Sequence, residues 1–354
     1  MSTAMALTSK AGPLSHPRIG HAGYPAARSA FEWGAVAAGG WLMTGLYLDG
    51  WAHQHFLVET FFTPWHAVLY SGMAAAIALF GLTALSNRFS GYSWRRSLPP
   101  GYGLSLLAVL GFALAGALDM GWHATFGFER SFAALISPPH LLLAGCGLVA
   151  AGGPLRSAWA RGRSVAAWPA IFAAIYLLSV ITFFSQFVHP FNDPYALEVG
   201  PAGTVYAAEA LGAISIVFQS AVLLSIVFLL LRRLLLPPGS LLLLITVNGL
   251  AMSAMKDHYG FGLVALLAGV VGEILLFSLR PHASRLASLR AFSFAWPVAV
   301  YALYFGALGT LGGTWWSVPL WTGSIFLAGV AGLLVSYCFF SPGLRENAAD
   351  PQRG

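Results

Sequence analysis

Ten apolar stretches of about 17 to 28 residues each take up most of this 354-residue chain, at 31–49, 66–86, 102–120, 135–152, 167–188, 204–231, 239–255, 260–279, 291–311 and 318–340. About 20 apolar residues carry a helix across a bilayer, where every backbone polar group must be satisfied within the segment itself. The chain is therefore expected to be all-α, a polytopic membrane bundle of about ten transmembrane helices. Composition agrees, with 58% hydrophobic residues, 8% charged residues and a mean hydropathy of +0.73. A soluble domain is about a quarter charged, so that class is excluded.

Outside the spans, residues 1–29 hold Pro13, Pro17, Pro25, Lys10, Arg18 and Arg28 with no apolar core. They read as a cytoplasmic tail without a cleavable signal, which leaves the first span as an uncleaved anchor. Residues 30–341 form the transmembrane domain, and 342–354 read as a disordered tail. The two cysteines, Cys146 and Cys338, lie within apolar spans and read as small buried residues, too few for a thiolate metal site. The net charge of +6 is scattered through short connections rather than grouped with aromatics, which argues against nucleic acid.

Alternating the connections between two faces sorts the cations sharply. Sixteen of the 18 lysines and arginines fall on one face, leaving only Arg130 and Lys256 on the other. The positive-inside rule then makes both termini cytoplasmic, in a bacterial-type inner (plasma) membrane. Histidines sort the other way: His53, His55, His66, His123, His140, His189 and His258 fall on or near the outer, periplasmic or extracellular face. Trp51, Trp65, Trp122, Trp315 and Trp316 mark the same face as an aromatic belt.

On that face a pattern recurs. DGWAHQHFLVETFFTPWH begins at Asp49 and DMGWHATFGFERSFAALISPPH at Asp119, 70 residues later. Both read Asp-x3-His-x5-Glu, through Asp49, His53 and Glu59 and then Asp119, His123 and Glu129. After four extra residues in the second copy the register returns, with Thr63-Pro64-Trp65-His66 against Ser137-Pro138-Pro139-His140. Each copy joins an odd helix to the next even one, so the expected unit is a repeated hairpin, at 31–86 and 102–152. Weaker echoes stand at His189, Asn192 and Asp193, and at Asp257 and His258.

Asp and His four apart on a helix project from one face, and a His just after a helix-starting proline sits in the first turn of the next helix. Asp49, His53 and His66 can thus share one cation, and Asp119, His123 and His140 another. His55, Glu59 and Glu129 are candidates for extra ligands or for partners that orient an imidazole. Ionisable groups at membrane depth are unfavourable unless compensated, and a doubled triad points to a metal. Imidazole with carboxylate suits copper, zinc, iron or nickel. Three protein ligands leave a coordination position open, as in reactive sites. Glu209 and Glu273, inside spans, are candidates for a proton relay.

Asp49-x3-His53 followed by Thr63-Pro64-x-His66 resembles the copper-binding motif in the C subunit of particulate methane and ammonia monooxygenases. In that family an Asp, a His four residues on and a His thirteen beyond bind copper in the membrane. Its second set, with Asn for Asp, is similar to Asp119, His123 and His140. The likeness covers about 90 of the 354 residues. It implies copper as cofactor, with zinc or iron as the other candidates, and a component of a copper-dependent monooxygenase acting on a small apolar substrate. Such a component needs partner membrane subunits or a quinol for electrons, because no haem, flavin or nucleotide motif is present. The alternatives are metal acquisition, storage or transport at the outer face, and a scaffold or proton-handling subunit. The lipid bilayer and a second copy of the chain complete the expected partners.

Overall fold

The computed structural model describes residues 23–56, 60–128, 132–162, 168–197 and 203–340. Among the described residues there are helices and no strands. In order they are α1 (Ser29–His55), α2 (Pro64–Phe89), α3 (Gly103–Phe126), α4 (Ala133–Ile136), α5 (Pro138–Ala151), α6 (Gly153–Ala160), α7 (Trp168–Phe184), α8 (Val205–Leu231), α9 (Ser240–Ala254), α10 (Gly260–Leu279), α11 (Leu286–Thr310) and α12 (Val318–Phe339). Each of the ten apolar stretches falls on one of them.

Among the described residues, seven helical segments are long and apolar enough to cross a membrane: α2, α3, α5 continued through α6, α8, α10, α11 and α12. The other three stretches differ from expectation for separate reasons. α1 is 27 residues long but carries Glu32, Asp49, His53 and His55. α7 and α9 are apolar but only 17 and 15 residues long, or about 26 and 23 Å at 1.5 Å per residue, against a hydrocarbon core of about 30 Å. Large apolar side chains cover the outside of the bundle, among them Leu107, Leu114, Phe277 and Leu334. A surface of that kind matches lipid and not water.

Packing divides the interior into two cores. α1 lies along α2 and α3 along α5, enclosing Leu42, Leu69, Ala76, Phe80, Val109 and Phe112. The larger core belongs to α7–α12 and centres on Phe228, Leu241, Phe261, Phe292, Trp296 and Tyr304. α7 bridges the two by packing on both α1 and α5. Away from the histidines, Arg161 after α6 reaches Glu32 of α1 with Nη2 2.7 Å from Oε1. Two expectations are corrected here. Cys338 is exposed on α12, because span membership does not say which side of a helix meets lipid. Trp316 is buried between α8 and α11, so it is a core residue and not part of a belt.

α1 and α2 touch through their backbones. A Cβ at Gly45 would lie 2.4 Å from Leu69 Cα, and one at Gly72 would lie 2.9 Å from Leu42 N. No side chain can rotate away from such contacts, so Gly45 sets how closely the two helices, and hence Asp49 and His66, approach. Gly45→Ala is expected to destabilise the protein by about 1–3 kcal/mol through overpacking, read as a lower midpoint of thermal unfolding in detergent.

Candidate metal centre

The last turns of α1 present Asp49 and His53 on one face, and α2 brings His66 against them. Thr63 Oγ1 accepts from His66 N at 3.2 Å and Pro64 occupies the first helical position, which seats His66 in the first turn. His66 Nε2 lies 3.1 Å from Asp49 Oδ1, and His53 Nε2 lies 3.7 Å from the same oxygen. On its other side, His66 Nδ1 donates to Phe61 O at 2.5 Å.

The second set is built the same way with one exchange. Asp119 and His123 share a face of α3, whose end is set by Gly127 at φ +80°, a conformation that favours glycine. His123 Nε2 is 3.5 Å from Asp119 Oδ2, and His140 Nε2 at the start of α5 is 3.6 Å from Asp119 Oδ1. His123 Nδ1 donates to Gly127 O at 3.2 Å. Ser137, the counterpart of Thr63, makes no cap bond; its hydroxyl lies 2.7 Å from His140 Nδ1. In both sets the residue before the proline thus serves the histidine, through its backbone in one case and its ring in the other.

These hydrogen bonds assign protons. A carbonyl only accepts, so Nδ1 of His66 and of His123 carries the hydrogen, and Nε2 of the neutral ring turns a lone pair toward a carboxylate. Two acceptors facing each other require a positive species between them, either a proton or a metal ion. Asp49 Oδ1 and Asp119 Oδ1 are buried with no hydrogen-bond partner among the described residues. A proton satisfies one imidazole–carboxylate pair, whereas an ion at the centre satisfies three groups at once. In each set one atom from every residue lies within 4.8 Å of the others. The four measured distances of 3.1, 3.7, 3.5 and 3.6 Å surround the roughly 3.4 Å that separates two ligands bound at about 2.1 Å in a tetrahedral site. The side chains fit a metal.

Both triads line one cavity of about 590 Å³, a joint placement that their 70-residue separation in sequence did not reveal. Lys256 and Asp193 also line it and pair with each other. Lys256 went unassigned in the sequence, although its status as one of only two cations on that face was a usable signal. The other candidates lie elsewhere. His55 Nε2 is 2.8 Å from Asp257 Oδ2, outside the triad, and this partner together with the Tyr259 hydroxyl holds the Asp257 carboxyl below its ordinary range. Glu59 and Glu129 fall outside the described residues. Glu273 Oε1 accepts from Leu241 N and Leu242 N at 2.7 and 3.2 Å, capping α9. Neither Glu273 nor Glu209 lines the cavity. Asn192 Nδ2 donates to Asp193 Oδ2 at 2.7 Å, and neither echo of the motif forms a cluster with metal-ligand spacing among the described residues.

No protein-family model, curated protein or solved structure matches this chain. The site has to be understood from its own chemistry.

His189 shows how a buried histidine of this chain behaves without a carboxylate beside its ring. It is buried after α7, and its Nδ1 accepts from Phe191 N at 3.2 Å. Burial pushes its pKa down from 6.5 to about 3. The folded state therefore keeps it neutral, while the unfolded chain takes up a proton below about pH 6.5 and is favoured as the pH falls. His189→Asn, which keeps an acceptor for Phe191 N, is expected to flatten the fall in thermal midpoint between about pH 6.5 and pH 4. An equally steep fall in the variant would assign the acid sensitivity to other groups.

Proposed function

We propose that the chain is an integral-membrane copper protein with two adjacent sites, and that it serves as a component of a copper-dependent membrane monooxygenase acting on apolar substrates. Asp49, His53 and His66 hold one ion; Asp119, His123 and His140 hold the other. The observation that carries this reading is the pair of carboxylates each faced by two imidazole nitrogens, each with a buried Oδ1 that has no hydrogen-bond partner among the described residues. Copper is preferred over zinc and iron because imidazole and carboxylate without thiolate suit it, because it stands highest in divalent affinity, and because the Asp49, His53 and His66 spacing resembles that of the monooxygenase C subunits.

When bound, copper supplies redox chemistry toward dioxygen. The protein's own part is to hold the ligands and shape the approach. Phe61 O, Gly127 O and the Ser137 hydroxyl fix the orientation of three imidazoles. Phe61 and Phe128 pack against His66 and His123, with ring centres 4.9 and 4.5 Å apart, which limits water at the ligands. Electrons then come from a partner subunit or a quinol.

Transport is the weaker reading. An ion path needs polar groups continuing inward, but α1 and α2 line the cavity below the triads with Leu42, Leu46, Leu69, Met73 and Phe80. The polar residues deeper in the bundle are already engaged: Gln219 Nε2 donates to Val188 O, and Asn248 Nδ2 to Thr182 Oγ1. The charge asymmetry supports a ten-span arrangement, including α1, α7 and α9, with both termini cytoplasmic and the triads outward. The parallel construction of α1–α2 and α3–α5 supports a duplicated hairpin.

Purified protein reconstituted with copper is expected to hold about two ions per chain, and His66→Ala and His140→Ala are each expected to lose about one, since deleting one of three ligands removes most of a site's affinity. Elemental analysis of folded variants gives the count. Unchanged copper in both variants would show that protons, and not metal, bridge these triads.

A further inference from the structure

The cavity does not stop at the triads. Along α1 its wall runs from Asp49 through Leu42 to Ala35, and along α2 from His66 through Met73 to Phe80. Each path spans fourteen residues, or about 21 Å of helix. α5 follows from His140 through Gly147 to Ala151, about 16 Å. Tyr176 is the polar side chain on the deep wall, and its hydroxyl is already committed to Val36 O at 2.9 Å. The space is thus polar at one end and apolar for the rest of its length.

Its dimensions select the shape of an occupant. A volume of about 590 Å³ falls within the range of small-molecule sites. From the triads its lining reaches about 21 Å along α1 and α2, longer than a compact ligand requires. An unbranched carbon chain, about 4 Å thick at van der Waals contact, can follow a space of that length. A staggered chain of 1.5 Å bonds advances about 1.3 Å per carbon, so about 16 carbons fill the length.

We propose that the cavity holds a linear alkyl or acyl chain of about 16 carbons, with one end among Asp49, His53, His66, Asp119, His123 and His140 and the remainder between α1, α2, α5 and α7. This deepens the metal reading above by naming the substrate class that its ligands would meet. The small residues on the wall are what keep the channel open. Gly147 is the informative one: a Cβ there meets only Val180 and Phe112, at 3.9 and 4.0 Å, so a larger side chain can enter the channel without disturbing a helix contact. It lies seven residues below His140, about 10.5 Å along α5, or about eight carbons at about 1.3 Å each.

The test uses full-length protein purified in a steroid-based detergent, which carries no long alkyl chain to compete for the channel. Straight-chain 1-alkanols of increasing length serve as probes, and the readout is the shift in thermal midpoint. The wild type is expected to show a length optimum near 16 carbons, and Gly147→Leu one near eight. Gly145→Leu is the control. Its Cβ meets nothing within 4 Å and it does not line the cavity, so its optimum is expected to stay near 16. A wild-type profile without an optimum, a Gly147→Leu profile like wild type, or an equal displacement in Gly145→Leu would each overturn the proposal. Copper content measured on the same samples separates the two readings. A chain-length optimum without copper leaves the channel standing and removes the metal, whereas copper without an optimum does the reverse.

Discussion

A carboxylate taken out of water must find hydrogen-bond donors or a cation, and in this protein two of them meet imidazole nitrogens instead. The remainder of the site follows from that constraint. Asp49 and Asp119 each sit a helical turn before a histidine, and each receives a second histidine from the next long helix. Backbone carbonyls hold the Nδ1 protons of His66 and His123, so the lone pairs that remain converge on the acids. A helix end that positioned these groups less closely would leave the charges uncompensated in a medium where each is unfavourable by several kcal/mol.

That closeness is provided by small residues. Gly45 and Gly72 let the α1 and α2 backbones meet, as expected where helices associate without a difference in hydrophobicity between partner and lipid. The same economy of side chains appears on the cavity wall. Two separate cores, one around α1–α3 and α5 and one around α7–α12, leave a seam that α7 only partly fills. The triads stand at one end of that seam and apolar side chains line the rest. The proposed metal sites and the apolar channel are then parts of one space, which relates the proposed oxidation chemistry to the proposed chain-like substrate.

Much of this was legible in the residues alone. A helix is found at each of the ten apolar stretches, although among the described residues seven helical segments are long and apolar enough to cross a membrane. Asp49 with His53, and Asp119 with His123, are local pairs four residues apart, so helix geometry places them together regardless of the fold. His66 and His140 were readable because a proline in the first helical position marks where the next helix begins. In contrast, His55 stood in the sequence as a candidate for an extra ligand or an orienting partner, yet it points two residues around the helix and pairs with Asp257, 202 residues away. Glu273, a candidate for a proton relay in the sequence, caps a neighbouring helix.

Local spacing thus determined the helices and the two clusters of one carboxylate with two imidazoles, since these depend on contacts between neighbouring helices. Only the tertiary structure decided that both triads open on one cavity, that Lys256 and Asp193 meet beside them, and that the cavity continues between apolar helix faces. Spans that are apolar on every side carry no periodic signal of which face turns inward. The choice was left to long-range packing, where glycine contacts and the bridging of two cores by α7 set the positions of the walls.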